Sequence, residues 1–519
     1  MDNIKILWAD DEIDLLKPQL MFLEKKGYEV ITVSNGHDAL DEFKQDKDID
    51  VVFLDESMPG LTGLETLSRM KSINESTPVV MITKNEAEHV MEEAIGNQIA
   101  DYLIKPVNPN QILLSIKKNL ENKKLIGEKT TQAYQQEFRQ LGMQINSRLD
   151  PDEWKEVYRQ LVYWELELEK LQDNSLKEIF RMQKMEANRV FSSFVADHYL
   201  DWVKTSGRDE SPVLSHTLFR DRCLPVIKQE GNLFIILIDN MRYDQWKVLQ
   251  PLISEFYRVV REEMVFSILP TATQYARNAF FAGLMPSEIQ KKYPRFWTGE
   301  SDEGPRNQFE SDLLAEQLKR LRVDARFHYH KILNMGAGKK LSEQLNNYLG
   351  APLNILVYNF VDMLSHARTE MEVLKELADD EAAYRSLTVS WFEHSPLWEI
   401  IRALASRKIS ILLTTDHGSI KVNNPTKVVG DKNTNTNLRY KTGRNLQYDA
   451  GEVFEVRNPA DAFLPRESVS SSYIFALENN FFAYPNNFNY YVNYYKNTFQ
   501  HGGVSMDEMM VPFVYLKAK

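Results

Sequence analysis

The 519-residue sequence has one cysteine, Cys223, and ten histidines. A single thiol excludes an internal disulfide and any zinc site built on several thiolates. A metal here must therefore be held by Asp, Glu, His or hydroxyl oxygen. No stretch approaches the run of about 20 apolar residues that a membrane helix needs, and the start, MDNIKILWADDE, lacks a basic region followed by an apolar one. Cytoplasmic residence is the resulting expectation. Positive charge is also in deficit: 62 Lys and Arg against 74 Asp and Glu leave a formal net charge of −12. That argues against wrapping duplex nucleic acid by bulk electrostatics and leaves room for a local basic pocket. No basic helix-turn-helix-like segment ends the chain, so direct DNA binding is not expected. What is present is a globular composition, 43% hydrophobic and 26% charged, and a length that suits two to four domains of about 100–200 residues.

In the N-terminal part, IKILWA (4–9) and IDVVFL (49–54) are short apolar runs that each end in acid, Asp10 and Asp11 after the first and Asp55 after the second. YEVITV, PVVMIT and DYLIKP supply further strands, and helical segments alternate with them, one closed by Gly27. This alternation predicts a parallel sheet with helices on both faces and a site beyond the carboxyl ends of its strands. Asp10, Asp11 and Asp55 would meet there, joined by Thr83 and Lys105. Three crowded carboxylates repel one another, so the arrangement calls for a divalent cation, Mg2+, and a cationic neighbour.

That set resembles the receiver domain of bacterial response regulators, over residues 1–122. The resemblance implies that Asp55 accepts the phosphoryl group, that Asp11 binds Mg2+ directly with Asp10 acting through water, and that the Ser57 carbonyl completes the protein ligands. It further implies that Thr83 and Lys105 contact the phosphoryl oxygens and that Tyr102 turns inward with Thr83. The segment ESMPG departs mildly from the usual receiver pattern, since Ser57 would contribute only its carbonyl.

Residues 123–207 show little strand signal and read as a helical connector. Asp150 is placed to cap a helix with Pro151 in its first turn and Glu153 reaching back. Trp154, Val157, Leu161, Trp164, Leu168 and Leu171 then recur at spacings of three and four, an apolar seam for a partner helix, in a bundle or in a dimerising coiled coil. His198, in SSFVADHYLDW, reads as an ordinary helix residue.

From residue 208 onward three continuous apolar strands each end in ligand-type residues. NLFIILID ends in Asp239, LNILVYNFVDMLSH carries Asp362 with His366 one helical turn on, and ISILLTTDHGS ends in Asp416 and His417. Parallel strands would deliver all five groups to one edge. Carboxylates mixed with imidazoles suit Zn2+ or Mn2+, and five groups exceed the needs of one tetrahedral ion, so two metals are expected. LPTATQYARNAFFAGLMP (269–286) offers two hydroxyls, Thr271 and Thr273, as nucleophile or as helix cap. The polar stretch 421–450 reads as a loop, either solvated or folded over the metals to hold phosphate with Arg439, Lys441 and Arg444; Arg277 and Lys331 are further substrate-binding candidates.

This half resembles the alkaline phosphatase superfamily and, within it, PglZ-type domains, over residues 208–519. The resemblance implies a doubly wound α/β fold and adds His501, from QHGGVSMDEMMVP, to the ligands. One metal would take Asp362, His366 and His501, and the other Asp239, Asp416, His417 and the nucleophile oxygen. Pro270 and Gly283-Leu284 stand at the distances from Thr273 that phosphodiesterases of the superfamily show, with Thr271 in reserve. The full order, a flavodoxin-like receiver, a helical connector and an alkaline-phosphatase-like domain, resembles PorX-type response regulators of type IX secretion. That implies a sensor histidine kinase as donor, a sigma factor or secretion-motor protein as partner, and a homodimer on phosphorylation. Two readings follow. In one, phosphorylation at Asp55 controls a two-zinc phosphodiesterase acting on nucleotide or oligonucleotide diesters. In the other, the old hydrolase fold is a zinc-stabilised docking module that switches dimerisation and partners.

Overall fold

The computed structural model describes residues 4–519 apart from 47, 75–76, 85–98, 172–173, 209–210, 301, 303, 371–379, 433 and 467, and backbone alone at 120–129 and 366–370. The chain divides into two compact units, one of residues 1–138 with 170–173 and one of 139–169 with 174–519. The helix Pro109–Ile145 runs past the expected 122/123 boundary and contributes to both.

The first unit is a five-stranded parallel sheet of β1 (Lys5–Ala9), β2 (Glu29–Val33), β3 (Ile49–Asp55), β4 (Val79–Thr83) and β5 (Asp101–Ile104), in the order β2-β1-β3-β4-β5. Ile6, Leu7, Trp8 and Ala9 are wholly buried, alternating between two apolar clusters on opposite faces of the sheet. That is why β1 reads as an unbroken hydrophobic run. Strand order reverses between β1 and β3, so their carboxyl ends open the crevice where ligands bind in such sheets. The helix Gly63–Ile73 comes very close to that edge: a Cβ at Gly63 would lie 2.3 Å from the Asp55 carbonyl oxygen, which only glycine avoids.

In the second unit, helix Pro151–Glu169 starts as its sequence dictates. Asp150 accepts from the backbone N–H groups of Asp152 and Glu153, and Glu153 accepts from the Asp150 N–H. Asp150→Ala is expected to lower the stability of this unit by about 1 kcal/mol, read by tryptophan fluorescence in urea, with Asp150→Asn retaining most of it. Trp154, Val157, Leu161, Trp164 and Leu168 are buried. Trp154 meets Phe191 of helix Asn174–Thr205 edge-on at 5.4 Å, and Tyr158 meets Tyr243. The seam is thus covered within the unit. His198 lies on the exposed side, its ring against Phe194.

The main sheet comprises β6 (Leu233–Ile238), β7 (Tyr257–Phe266), β8 (Phe327–Ile332), β9 (Leu353–Tyr358), β10 (Ser410–Thr414) and, from the end of the chain, Met510–Ala518, here β18. Its order is β7-β18-β10-β6-β9-β8, with β10, β6, β9 and β8 parallel and β18 antiparallel between β7 and β10. Registers Thr414↔Leu237 and Ile238↔Tyr358 bring the carboxyl ends of the three buried central strands level. The stretch 421–450 is not a loop. It contains β11 (Ile420–Lys421), β12 (Asn424–Lys427) and β13 (Tyr440–Gly443), which with β14 (Val453–Val456), β15 (Ser472–Ala476), β16 (Asn480–Ala483) and β17 (Phe499–Gln500) form three small sheets. NPTK and YKTG pair with the apolar strands β16 and β15 and need no apolar run of their own. Pro425 is tolerated because β12 has a neighbour on one side only. No described helix is long and apolar enough to cross a membrane.

Candidate functional site

Among the described residues two groups of acidic or imidazole side chains gather as ligands could: Asp10, Asp11 and Asp55 in the first unit, and Asp239, Asp416 and His417 in the second. Within each group one oxygen or nitrogen per residue lies within 4.8 Å of the others. In the first, Asp10 and Asp55 are buried and Asp11 is exposed. Lys105, just past β5, puts its Nζ 2.9 Å from Asp10 and 3.0 Å from Asp55. Burial pushes the Asp55 carboxyl up to about 6 against the pull of Lys105, with Asp10 adding to the rise. One lysine does not compensate three carboxylates, so the set fits a hard divalent ion held by oxygen. Thr83 reaches the same edge, but its hydroxyl donates to Glu56. Tyr102 packs half-buried on the apolar cluster of its own sheet face, and Ser57 is exposed two residues after Asp55.

In the second unit Asp239 follows β6 directly, and Asn240, at φ +62°, turns the chain away from the sheet. Thr273 is the first residue of helix Thr273–Ala282. Its hydroxyl lies 3.4 Å from Asp239 Oδ1 and 3.1 Å from His417 Nε2. Thr271 is elsewhere employed. Fully buried, it accepts from the Gly502 N–H at 2.9 Å, donates to the Gly503 carbonyl at 3.0 Å and lies 3.4 Å from Glu508. The Thr271 hydroxyl is a brace for the backbone at 502–503, and the Thr273 hydroxyl stands beside Asp239 and His417.

Both histidines have their tautomers set by backbone. A carbonyl oxygen can only accept, so His417 Nδ1, 3.0 Å from the Gly418 oxygen, and His501 Nδ1, 3.1 Å from the Thr271 oxygen, must carry their protons. Each ring then directs its Nε2 toward the acids. His417 Nε2 lies 3.7 Å from Asp416 and 3.9 Å from Asp239, and His501 Nε2 lies 3.6 Å from Asp362. The rings stack at 4.3 Å, 18° apart, which joins His501 and Asp362 to the cluster of Asp239, Asp416 and His417. Metal-bound histidines are oriented in this way through their other nitrogen. His366 lies on the helix of Asp362, Phe360–Glu370; its side chain is outside the described residues.

The glycines after His501 are required by space. Gly502 has φ +126°, and a Cβ there would lie 2.6 Å from the Tyr440 ring; one at Gly503 would lie 2.5 Å from the Ala476 oxygen. Arg277, fully buried, pairs with Asp239 and, at 3.0 Å, with Asp416, and it lies 3.5 Å from Glu310. Burial drives the Asp239 carboxyl well above the usual range despite Arg277, with Asp416 and Asp362 adding to the rise. For Asp416 burial acts upward too, but Arg277 and His417 outweigh it and hold the carboxyl low. A single guanidinium shared among buried acids leaves negative charge uncompensated. The donor set therefore fits cations of the kind that carboxylate, imidazole and alkoxide ligands take.

Three of the five substrate-binding candidates are engaged by neighbouring acids. Arg277 neutralises the acids of the site. Lys331 donates to the Asn307 carbonyl at 2.6 Å and to Glu310 at 2.9 Å. Arg439, fully buried, is bidentate on Glu508 at 3.1 and 2.6 Å. Buried cations need partners, and these have them. Lys441 is buried, donates to the Asn435 carbonyl at 2.8 Å and lies 4.6 Å over the Tyr484 ring, and burial lowers its ammonium to about 7. Arg444 is exposed just past β13. Sequence reasoning missed Glu310, Glu508 and Asn307, whose amide donates to the Thr273 carbonyl at 3.0 Å. The one available signal was an acid inside the apolar run MDEMMVPF, where Glu508 is wholly buried.

Comparison with known proteins gives three matches along the chain. Residues 218–516 match the BREX system PglZ alkaline phosphatase-like domain, residues 124–203 the PorX response regulator linker domain and residues 6–117 the response regulator receiver domain. The transcriptional regulatory protein ZraR of Escherichia coli O157:H7 is 29% identical over 141 residues, 27% of this chain and 32% of that protein. The alkaline phosphatase synthesis transcriptional regulatory protein PhoP of Bacillus subtilis (strain 168) is 32% identical over 117 residues, 22% of this chain and 48% of that protein. The chain thus spans less than half the length of these relatives. A response regulator receiver domain protein from Clostridium thermocellum, of known crystal structure, is 32% identical, with 24% of this chain covering 98% of that one at a TM-score of 0.23.

Proposed function

Because the chain belongs to the BREX system PglZ alkaline phosphatase-like family, with the receiver and linker of a PorX-type response regulator ahead of that domain, we propose that it is a phosphorylation-controlled, two-metal phosphodiesterase acting on nucleotide or oligonucleotide diesters. The observation that carries the reading is the Thr273 hydroxyl, 3.1 Å from an imidazole nitrogen whose tautomer a backbone carbonyl fixes, beside the carboxylate of Asp239. Asp239, Thr273, Asp416 and His417 would hold one ion, Zn2+ or alternatively Mn2+, and Asp362, His366 and His501 the other. Such ions, when bound, supply the positive charge that lowers a hydroxyl pKa and stabilises developing charge on phosphoryl oxygens. Thr273 Oγ attacks phosphorus: the Oγ–P bond forms, the P–O bond to the leaving alcohol breaks, and water later releases the phosphoryl group from the threonine. Arg277 holds Asp239 and Asp416 in place, and Asn307 fixes the backbone at Thr273. Arg444 is the exposed cationic candidate for substrate phosphate, and Lys441 would have to leave the Asn435 carbonyl to reach one.

The receiver takes its phosphoryl group from a kinase, in this reading a sensor histidine kinase. Asp55 accepts it with Mg2+ held by Asp10, Asp11 and the Ser57 carbonyl, and Lys105 lies within reach of the new phosphoryl oxygens. Homodimerisation on phosphorylation and a sigma factor or secretion-motor partner of type IX secretion belong to the same proposal. The test is hydrolysis of p-nitrophenyl diesters and monoesters by the full chain. The expected result is diester hydrolysis faster than monoester hydrolysis, abolished by a chelator and restored by Zn2+ or Mn2+. A chain that takes up metal and hydrolyses neither ester would favour the docking module instead.

A further inference from the structure

The helix Phe488–Tyr495 turns tyrosines outward: Tyr490 is 65% exposed, Tyr491 38% and Tyr494 36%. Its other side is anchored, with Val492 and Tyr495 packed on buried Ile420, Val422 and Phe481. The rings are ordered, Tyr490 stacked on Tyr494 at 6.2 Å and 15° and Tyr491 on Tyr495 at 6.3 Å and 11°. An aromatic ladder held in water on a two-turn helix leaves apolar area uncovered, which marks a binding surface more often than a scattered apolar residue does.

The surrounding sequence is equally one-sided. From Asn479 to Met506 there is no Asp or Glu, in a chain with 74 of them among 519 residues, and the same stretch holds seven asparagines and Lys496. Lys427, on the neighbouring β12, lies 5.3 Å over the Phe488 ring. Flat aromatic faces accept nucleobases of any sequence. Amide side chains offer donors and acceptors to base edges, and a stretch without carboxylates adds no charge that repels phosphates. An aliphatic partner would use none of the amides, and a basic partner would find no carboxylate in this stretch.

The location connects this face to the metal ligands. After Tyr495 the chain passes through β17, and the next residue is His501. Six residues span at most about 22 Å, so the end of the ladder lies within that distance of His501. We propose that the tyrosine face of helix Phe488–Tyr495 is an accessory platform for the bases of a single-stranded oligonucleotide, holding the strand while one of its diesters enters the His501 side of the site. The delivery half of this inference rests on the phosphodiesterase reading; the binding half does not.

The experiment is fluorescence anisotropy with a 5′-fluorescein oligothymidylate 12-mer and the full chain in EDTA, where hydrolysis plays no part. Wild type is expected to bind saturably. Tyr490→Ser with Tyr494→Ser is expected to weaken binding at least about tenfold, and Tyr490→Phe with Tyr494→Phe to bind as wild type does, because the ring face stacks and not the hydroxyl. No saturable binding by wild type, equal affinity of the serine variant, or loss in the phenylalanine variant overturns the proposal. A serine variant that changes sedimentation of the free protein and not its affinity assigns the face to self-association and overturns it too. Binding without hydrolysis under any metal leaves the platform standing and removes the phosphodiesterase, so the two failures are distinct.

Discussion

Thr273→Val is expected to lower diester hydrolysis by about a thousandfold or more, the scale on which enzymes lose rate when an attacking nucleophile is removed. Thr271→Val is expected to behave differently. Its hydroxyl braces the Gly502 and Gly503 backbone and faces Glu508. Its loss leaves buried polar groups unmatched and costs about 1–3 kcal/mol of stability, with a smaller fall in rate that follows the displacement of His501. Parallel rate and urea-denaturation measurements on both variants separate the roles. A thousandfold loss in Thr271→Val with Thr273→Val nearly unchanged would exchange them.

His501→Ala is expected to have the second large effect. The ring directs Nε2 toward Asp362 and stacks on His417, so the substitution would remove a proposed ligand of one ion and a neighbour of the other. Removal of residues that only support a ligand costs tenfold to a hundredfold in metal affinity or activity as a rule. Loss of the ligand itself should exceed about a hundredfold in rate and release one of the two ions. Metal content and rate, measured on the same preparation, check this; unchanged metal content would remove His501 from the ligand set.

Much of the site was legible because parallel strands buried on both faces are plain in sequence, and an acid just past such a run has few places to be but the sheet's carboxyl edge. Asp239, Asp416 and His417 were found in that way. The spacing from Pro270 and Gly283-Leu284 favoured Thr273 over Thr271, but what surrounds each hydroxyl was not readable from it, since Thr271 meets Gly502 and Thr273 meets Asp239 and His417, all from distant parts of the chain. Arg277, Lys331 and Arg439 looked like free cations because sequence does not reveal whether a guanidinium or ammonium is buried, and all three answer buried glutamates or aspartates contributed by distant segments. β12 and β13 were read as loop because their pairing comes from the apolar strands beside them and not from any periodicity in NPTK or YKTG. In the receiver, the Glu56 carboxylate on Thr83 was invisible for a related reason: Glu56 follows β3 and Thr83 ends the neighbouring β4, 27 residues apart in the chain.

In the proposed site Asp239, Thr273, Asp416 and His417, with Asp362, His366 and His501, hold two metal ions. Elemental analysis of the purified chain after dialysis, which strips the weaker Mg2+ of the receiver, tests it most directly. The account predicts about two Zn2+ or Mn2+ per chain, falling to about one in His501→Ala. No retained transition metal, or a content unchanged in both His501→Ala and Asp239→Asn, would contradict it.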